Sequence, residues 1–171
     1  MTAPPPQQPT DNSSVGGLVV GGALGVVGLA TVLIASWDGK SNDPYRDIVG
    51  VMTVCYGETH AQMRRYSDAE CKTMLQNSVE GDYAPKVFRC VPALRQRPYE
   101  GAASISLAYN IGTNAFCRST VARRFNAGDW RGGCDAFLSW NKARKNGQLV
   151  TIRGLTNRRL DERKMCMKGT S

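Results

Sequence analysis

The hydrophobic and polar positions along the chain divide it into three zones. Residues 1–14 are rich in Pro, Gln, Ser and Asn, a composition typical of disordered segments. Residues 15–36 contain no charged side chain, whereas apolar and polar residues are mixed from Trp37 onwards. We therefore predict a disordered N-terminal arm (1–14), an apolar segment able to enter a membrane (15–36) and one folded domain (37–171).

The apolar segment is long enough to cross a bilayer but only weakly hydrophobic. As a helix, residues 15–36 would span roughly 33 Å. Its many glycines supply no apolar side chain and disfavour a helix, so insertion is marginal. Three interpretations are open: a cleaved signal peptide, a permanent anchor packed through Gly17, Gly21 and Gly25, or a segment held in the membrane and later released. The lack of a basic leader counts against the signal peptide, and we favour release.

The remaining pattern predicts a small sheet followed by helices. Residues 44–59 favour short strands with turns at Gly50 and Gly57. Ser67 and Glu70 form a capping-box pattern, which predicts a helix from about residue 68 to the region of Gly81. A helix is expected from Pro98 to Asn110, stopped by Gly112, followed by helices over 119–126 and from Asp129 to about Trp140. A loop over 142–147 and a final helix, capped by Thr156 and ending at Met167, complete the expected elements.

The cysteines and charges limit the possible compartments and partners. Six widely spaced cysteines lie in the domain, which favours three disulfides outside the cytoplasm but leaves the pairing open. His60 is the only histidine and no CxxC occurs, so we expect no metal and no cofactor. All 22 basic and 13 of the 14 acidic side chains follow residue 36, which favours an anionic partner. Without a nucleic-acid-binding motif, a membrane surface or cell-wall polymer is preferred to nucleic acid.

Two groups of motifs resemble one enzyme family. Asp38, Asp47 and Thr53, in a turn-rich stretch, resemble the catalytic signature of phage-type lysozymes (glycoside hydrolase family 24). The strings 108–112, 116–120, 125–129 and 154–159, together with Trp140, resemble the helical lobe of the same family. The resemblance covers about residues 37–168. It implies an α+β, lysozyme-like fold, with a small sheet lobe, a larger helical lobe and a cleft between them, preceded by an N-terminal apolar helix.

The resemblance also implies catalytic roles. Asp38 would be the general acid, kept protonated in an apolar cleft beside Trp37 and Ile34, although the family normally has glutamate there. Asp47 would hold the attacking water, and Thr53 would help to position it. Glu58 is the alternative acid, but we expect Glu58 and His60 to play supporting roles.

The implied function is that of an endolysin. It would hydrolyse the bond between N-acetylmuramic acid and N-acetylglucosamine in peptidoglycan. The apolar segment resembles signal-arrest-release segments, so we expect a host inner-membrane form and then a periplasmic monomer. The alternatives are a wall-binding protein weakened by the shorter acid and a membrane-anchored structural or pore protein. We further predict three disulfides that tie neighbouring elements: Cys55–Cys71, Cys90–Cys117 and Cys134–Cys166.

Overall fold

The computed structural model describes residues 25–47 and 50–171, in which a small two-stranded sheet accompanies a larger group of helices. Strand β1 (Ser41–Arg46) pairs antiparallel with β2 (Met52–Cys55), and an isolated bridge joins Val54 to Glu58. The predicted sheet is therefore present, with its first strand beginning three residues earlier than expected. The predicted arm (1–14) and residues 15–24 of the apolar segment lie outside the described residues.

Eight α-helices are present in the described part of the chain, with short 3-10 or π turns between some of them. Their bounds are α1 Val26–Trp37, α2 Asp68–Ser78, α3 Ala84–Cys90, α4 Pro98–Ile111, α5 Thr113–Cys117, α6 Thr120–Asn126, α7 Trp130–Ala136 and α8 Arg153–Met167. Helix α4 lies at the centre, because every residue from Glu100 to Ala108 is buried. It contacts both α1 and α8, and the main hydrophobic core surrounds it.

Helix ends follow the polar residues that the sequence supplies. The Ser67 side chain accepts a hydrogen bond from the N–H of Glu70, and the Glu70 carboxylate accepts one from the N–H of Ser67, so the predicted capping box begins α2. Ser119 and Asp129 accept equivalent bonds at the starts of α6 and α7. Gly112 ends α4 with a φ of +89°, a conformation that favours glycine.

Two expectations near the C-terminus were wrong. Residues 142–147 belong to a hairpin rather than a loop, with β3 (Lys142–Lys145) paired antiparallel with β4 (Gln148–Thr151). Asn146 and Gly147 both have positive φ, as a tight two-residue hairpin turn requires. Helix α8 begins at Arg153, so Thr156 lies inside its first turn and does not cap it. The Thr156 hydroxyl instead donates to the carbonyl of Ile152.

Helix α1 begins inside the predicted apolar segment and packs on the domain. Ala30 and Ile34 are fully buried, Thr31 and Leu33 are nearly so, and the helix rests mainly on α4. The contact with α4 is close, because a Cβ added to Gly101 would lie only 2.8 Å from the Val26 side chain. No helix in the described residues is both long and apolar enough to span a bilayer.

All three predicted disulfides are present. Cys55–Cys71 ties β2 to α2, Cys90–Cys117 ties the end of α3 to α5, and Cys134–Cys166 ties α7 to α8. The paired cysteines are separated in sequence by 16, 27 and 32 positions, respectively. Loops of this size contribute about 3 kcal/mol each in the chain-entropy treatment.

Candidate active site

Asp38 is the C-cap residue of α1 and forms an ion pair with Arg158 of α8. The backbone N–H of Asp38 donates to the carbonyl of Ile34 at 2.9 Å, which fixes the position of its Cα. Arg158 Nη1 donates to Asp38 Oδ1 at 3.1 Å, and Nη2 lies 3.1 Å from Oδ2. The expectation of apolar surroundings for this carboxyl was therefore wrong. A guanidinium group faces it, because α8 packs across α4 at the end of α1.

Arg158 is held in place by a buried polar network. Its Nε donates to Glu162 Oε1 at 3.2 Å, and Ser106 of α4 donates to the same carboxylate at 2.7 Å. Arg159 Nε also lies 2.7 Å from Glu162, and both side chains are fully buried. Burial raises the pKa of Glu162, while the guanidinium of Arg159 opposes that rise. Arg158 and Arg159 thus face the carboxyl groups of Asp38 and Glu162 in one connected network.

Two tyrosines and Glu58 complete the surroundings of Asp38. The rings of Tyr83 and Tyr109 lie 4.8 Å apart, and the Tyr109 hydroxyl donates to the carbonyl of Tyr56 at 2.6 Å. Burial, followed by the charges of Glu58 and Asp38, raises the pKa of Tyr109. The pKa of Tyr83 is raised by burial and then by Asp82, Glu58 and Asp38. Both tyrosines therefore remain neutral hydroxyl groups beside the two carboxylates.

Glu58 is anchored to the helical part of the molecule. The Ser78 hydroxyl of α2 donates to Glu58 Oε1 at 2.6 Å, and the backbone of Glu58 pairs with Val54. These contacts give Glu58 a structural task at the junction of the sheet with α2. His60, two residues further along, is exposed.

Asp47 and Thr53 are joined through the backbone of Val51. The Val51 N–H donates to Asp47 Oδ1 at 2.9 Å, and the Thr53 hydroxyl donates to the Val51 carbonyl at 3.0 Å. The same carbonyl accepts the Asp47 N–H, and Gly50 turns the chain with a φ of +83°. Thr53 lies opposite Tyr45 in the register, so Asp47 and Thr53 are diagonal neighbours on one face of the hairpin. Thr53 retains oxygen lone pairs with which to accept a hydrogen bond from water.

The three candidate residues therefore occupy two connected places: Asp38 lies before β1, and Asp47 and Thr53 lie together at the other end of the hairpin that β1 forms with β2. The register of β1 and β2 is irregular between Ser41 and Tyr45, and such a bulge bends a strand. Sequence reasoning missed the ion-pair network. Its signal was the spacing of Arg158 and Arg159 from Glu162, four and three residues away on one helix. Among the described residues, no group of three or more His, Cys, Asp or Glu side chains could hold a metal ion.

A small sheet beside a helical lobe, with carboxylates on either side of its first strand, defines a lysozyme-like glycoside hydrolase. The chain belongs to the phage lysozyme family, whose model matches residues 35–162. It is accordingly an enzyme that hydrolyses bacterial peptidoglycan.

Relatives and solved structures support this assignment over most of the chain. The SAR-endolysins of bacteriophage PS119 and of enterobacteria phage P21 are each 34% identical to it over 173 residues, covering 94% of this chain and 96% or 98% of theirs. An endolysin from Escherichia coli O157:H7 phage FAHEc1 superposes with a TM-score of 0.69 at 26% identity, covering 85% of this chain and 95% of that one. The muramidase domain of SpmX from Asticaccaulis excentricus has the same TM-score and identity, with 81% and 94% covered.

Proposed function

We propose that this chain is an endolysin in which Asp38 is the general acid, Asp47 holds the attacking water and Thr53 positions it. The bond cleaved is the one between N-acetylmuramic acid and N-acetylglucosamine. The observation that carries the proposal is the fixed geometry of both parts. The partly exposed Asp38 carboxyl is held by the buried Arg158, and Asp47 and Thr53 are locked to the backbone of Val51.

The proposed reaction inverts the anomeric centre. Asp38 gives its proton to the leaving glycosidic oxygen while Asp47 takes a proton from a water on the opposite face of the sugar. This geometry needs the two carboxyl groups roughly 6.5–9.5 Å apart, with the water and the sugar in the cleft between them. Thr53 fits the task of orienting that water, because its hydroxyl hydrogen is already donated to Val51 and its oxygen can accept from the water.

Arg158 stabilises the charge that develops during proton transfer. Asp38 becomes negative as its proton leaves, and the guanidinium 3.1 Å away is already oriented toward that charge by Glu162 and Ser106. Such a preorganised group acts on the transition state without further rearrangement. Arg158 is therefore a positioning and electrostatic residue rather than a proton donor.

We base the proposed membrane step on the position of α1. Residues 15–36 enter the host inner membrane after export, and the residues that form α1 cannot be in lipid and packed on α4 at once. The folded position of Ala30, Leu33 and Ile34 and the pairing of Asp38 with Arg158 support this conclusion. While the segment is embedded, Asp38 is not paired with Arg158 and the site is incomplete. Release gives an active monomer in the periplasm.

Digestion of purified peptidoglycan by the full chain tests the proposed reaction. New reducing ends should carry N-acetylmuramic acid, and proton NMR during the first turnovers should detect the α-anomer, because inversion of a β-linkage gives that product. N-acetylglucosamine at the reducing ends, or retention of configuration, would contradict it. Binding to the wall without any new reducing ends would instead support the non-catalytic alternative. Alkaline carbonate extraction over time would show a permanently integral pool if the chain were a membrane-anchored structural protein.

A further inference from the structure

The hairpin formed by β3 and β4 presents a basic outer face. In its register Lys142 lies opposite Thr151, and Arg144 lies opposite Leu149, so these four side chains share one face. All four are exposed, and Leu149 is 62% exposed. Ala143 and Val150 share the other face and are half-buried, which places that face toward the body of the protein. The two cations of the outer face are separated by about 7 Å along the strand.

The charge of this region is not neutralised by the protein. No acidic residue occurs between Asp135 and Asp161, a stretch that contains Lys142, Arg144, Lys145 and Arg153. Within residues 25–47 and 50–171, none of these four cations forms an ion pair, although most exposed acids elsewhere have a basic partner. The Arg144 guanidinium only donates to the carbonyl of Gly147 in the turn. An unneutralised pair of cations on one face suits an anionic ligand.

The hairpin leads directly into the helix that bears Arg158. The Ile152 N–H donates to the Asn141 carbonyl and closes the base of the hairpin, and α8 begins at Arg153. Arg158 is five residues further along, about 7.5 Å along the helix axis, and contacts Asp38. Strands of four residues extend roughly 13 Å from the base. The hairpin is therefore directly connected to α8, the helix that carries Arg158, the ion-pair partner of Asp38.

We propose that this basic hairpin, defined as Lys142–Thr151, binds the carboxylates of the peptide stems of peptidoglycan while the glycan strand lies in the cleft. The inference rests on the proposed function and deepens it, because it assigns recognition of the stem to a surface outside the cleavage site. Stem carboxylates fit Lys142 and Arg144, and the alanine methyl groups of a stem fit Leu149. Arg144 offers a planar fork for a carboxylate, and Lys142 offers a mobile point charge.

A lipid surface fits the hairpin less well. Attachment to a bilayer interface requires a broad apolar face beside the cations, whereas Leu149 is the only large apolar side chain on the outer face. The connection to α8 also favours a ligand that reaches the cleft. An anionic phospholipid surface is nevertheless a distinct outcome of the test.

The test compares two double variants of the full chain. Lys142→Gln/Arg144→Gln removes the outer cations, and Lys72→Gln/Arg131→Gln removes two exposed cations on α2 and α7 as a control of equal charge. Each is assayed at low salt on purified sacculi and on the same sacculi stripped of stems by an amidase. Binding to vesicles of anionic phospholipid is measured in parallel. We expect kcat/KM of the hairpin variant to fall about fivefold on intact sacculi, as for two exposed charge pairs.

The expected pattern is specific to stems. On stem-free glycan the hairpin variant should match the wild type within about twofold, and the control should match it on both substrates; added salt should abolish the difference. An equal loss on both substrates, or in the control, would overturn the inference. Lost vesicle binding with unchanged sacculus turnover would overturn it in favour of a lipid surface. A wild type that cleaves neither substrate would instead overturn the proposed function.

Discussion

At the scale of single residues, the pairing of Asp38 with Arg158 determines what the shorter acid can do. Arg158 is only 5% exposed and is fixed by Glu162 and Ser106, so it cannot move to accommodate a longer partner. The Asp38 backbone is likewise fixed by its bond to Ile34. An aspartate therefore meets the guanidinium with both oxygens, without the additional methylene that the family's usual glutamate carries.

Asp38→Glu should consequently lower activity. The additional methylene must fold back or displace the carboxyl, and a misplacement of about 1 Å can cost on the order of a hundredfold in rate. We expect kcat on purified sacculi to fall at least about tenfold. Asp43→Glu, a change of the same size at an exposed aspartate, should leave kcat unchanged. Increased activity of Asp38→Glu would show that the site retains space suited to glutamate.

Only part of the candidate site could be predicted from the sequence. The spacing of Asp38, Asp47 and Thr53 identified the candidates, because it is carried by a short continuous stretch. Arg158 is 120 residues from Asp38, and no local pattern indicates that α8 crosses α4 at the end of α1. The prediction of an apolar environment for Asp38 was wrong for this reason.

At the scale of elements, α1 shows which apolar residues enter the core. Four large apolar residues of α1, Leu29, Val32, Leu33 and Ile34, are candidates for burial when the helix packs on the domain. Leu33 and Ile34 are buried and Leu29 is partly so, but Val32 is 58% exposed. A helix buries one face, and Val32 lies on the opposite side from Ala30 and Ile34.

This asymmetry provides a matched pair of substitutions. Ile34→Ala should destabilise the released protein by about 2–4 kcal/mol, since it leaves a cavity against α4. Val32→Ala should cost less than about 1 kcal/mol because its side chain is mostly in water. Urea unfolding of the detergent-free protein measures both. Equal effects would mean that α1 is not packed as described.

The capping box of α2 predicts a pH dependence. Hydrogen bonds from Ser67, its backbone N–H foremost, and the ion pair with Arg64 lower the pKa of Glu70 from 4.5 to about 2. A carboxylate whose pKa is lower in the folded state stabilises the fold above its unfolded pKa. That stability is lost as the pH falls from about 4.5 toward about 2.

Glu70→Gln should therefore flatten the decline of Tm between pH 5 and roughly pH 2, because the neutral amide has no charge to lose. Glu80→Gln, at another exposed glutamate, is the control and should follow the wild-type curve. Parallel curves for wild type and Glu70→Gln across this range would show that the folded-state pKa of Glu70 is not lowered.

Elements with strong local signals were the predictable ones. Three helix ends were predicted from a short-range bond or a fixed dihedral angle, and all three predictions were confirmed. They are the start of α2 at the Ser67 and Glu70 capping box, the start of α4 at Pro98 and the end of α4 at Gly112. The hairpin of Lys142–Thr151 was missed because its flanks lack alternating apolar residues, so Asn146 and Gly147 suggested only a loop.

At the scale of the whole molecule, we propose that the residues of α1 lie in the membrane before release and pack on α4 afterwards. Replacing Gly21, Gly22 and Gly25 with leucine should retain the chain in the membrane, since each leucine adds apolar area that favours lipid. Host lysis should then be suppressed, although Asp38, Asp47 and Thr53 are unchanged. Serine at the same three positions is the control and should permit lysis at or before the wild-type time. Lysis at the wild-type time by a leucine variant that remains membrane-bound would rule the mechanism out.

The most direct test of the proposed catalytic residues is the rate at which the purified full-length chain releases reducing ends from sacculi. This rate is compared for Asp38→Asn, Asp47→Asn and Glu58→Gln. We predict that each aspartate variant loses most turnover, by at least about a hundredfold, while its Tm stays within about 5 °C of wild type. Glu58→Gln should retain activity within about tenfold, because the Ser78 hydroxyl donates to Glu58 and gives this side chain a structural role. Full turnover by Asp38→Asn together with inactivity of Glu58→Gln would contradict the account and identify Glu58 as the acid.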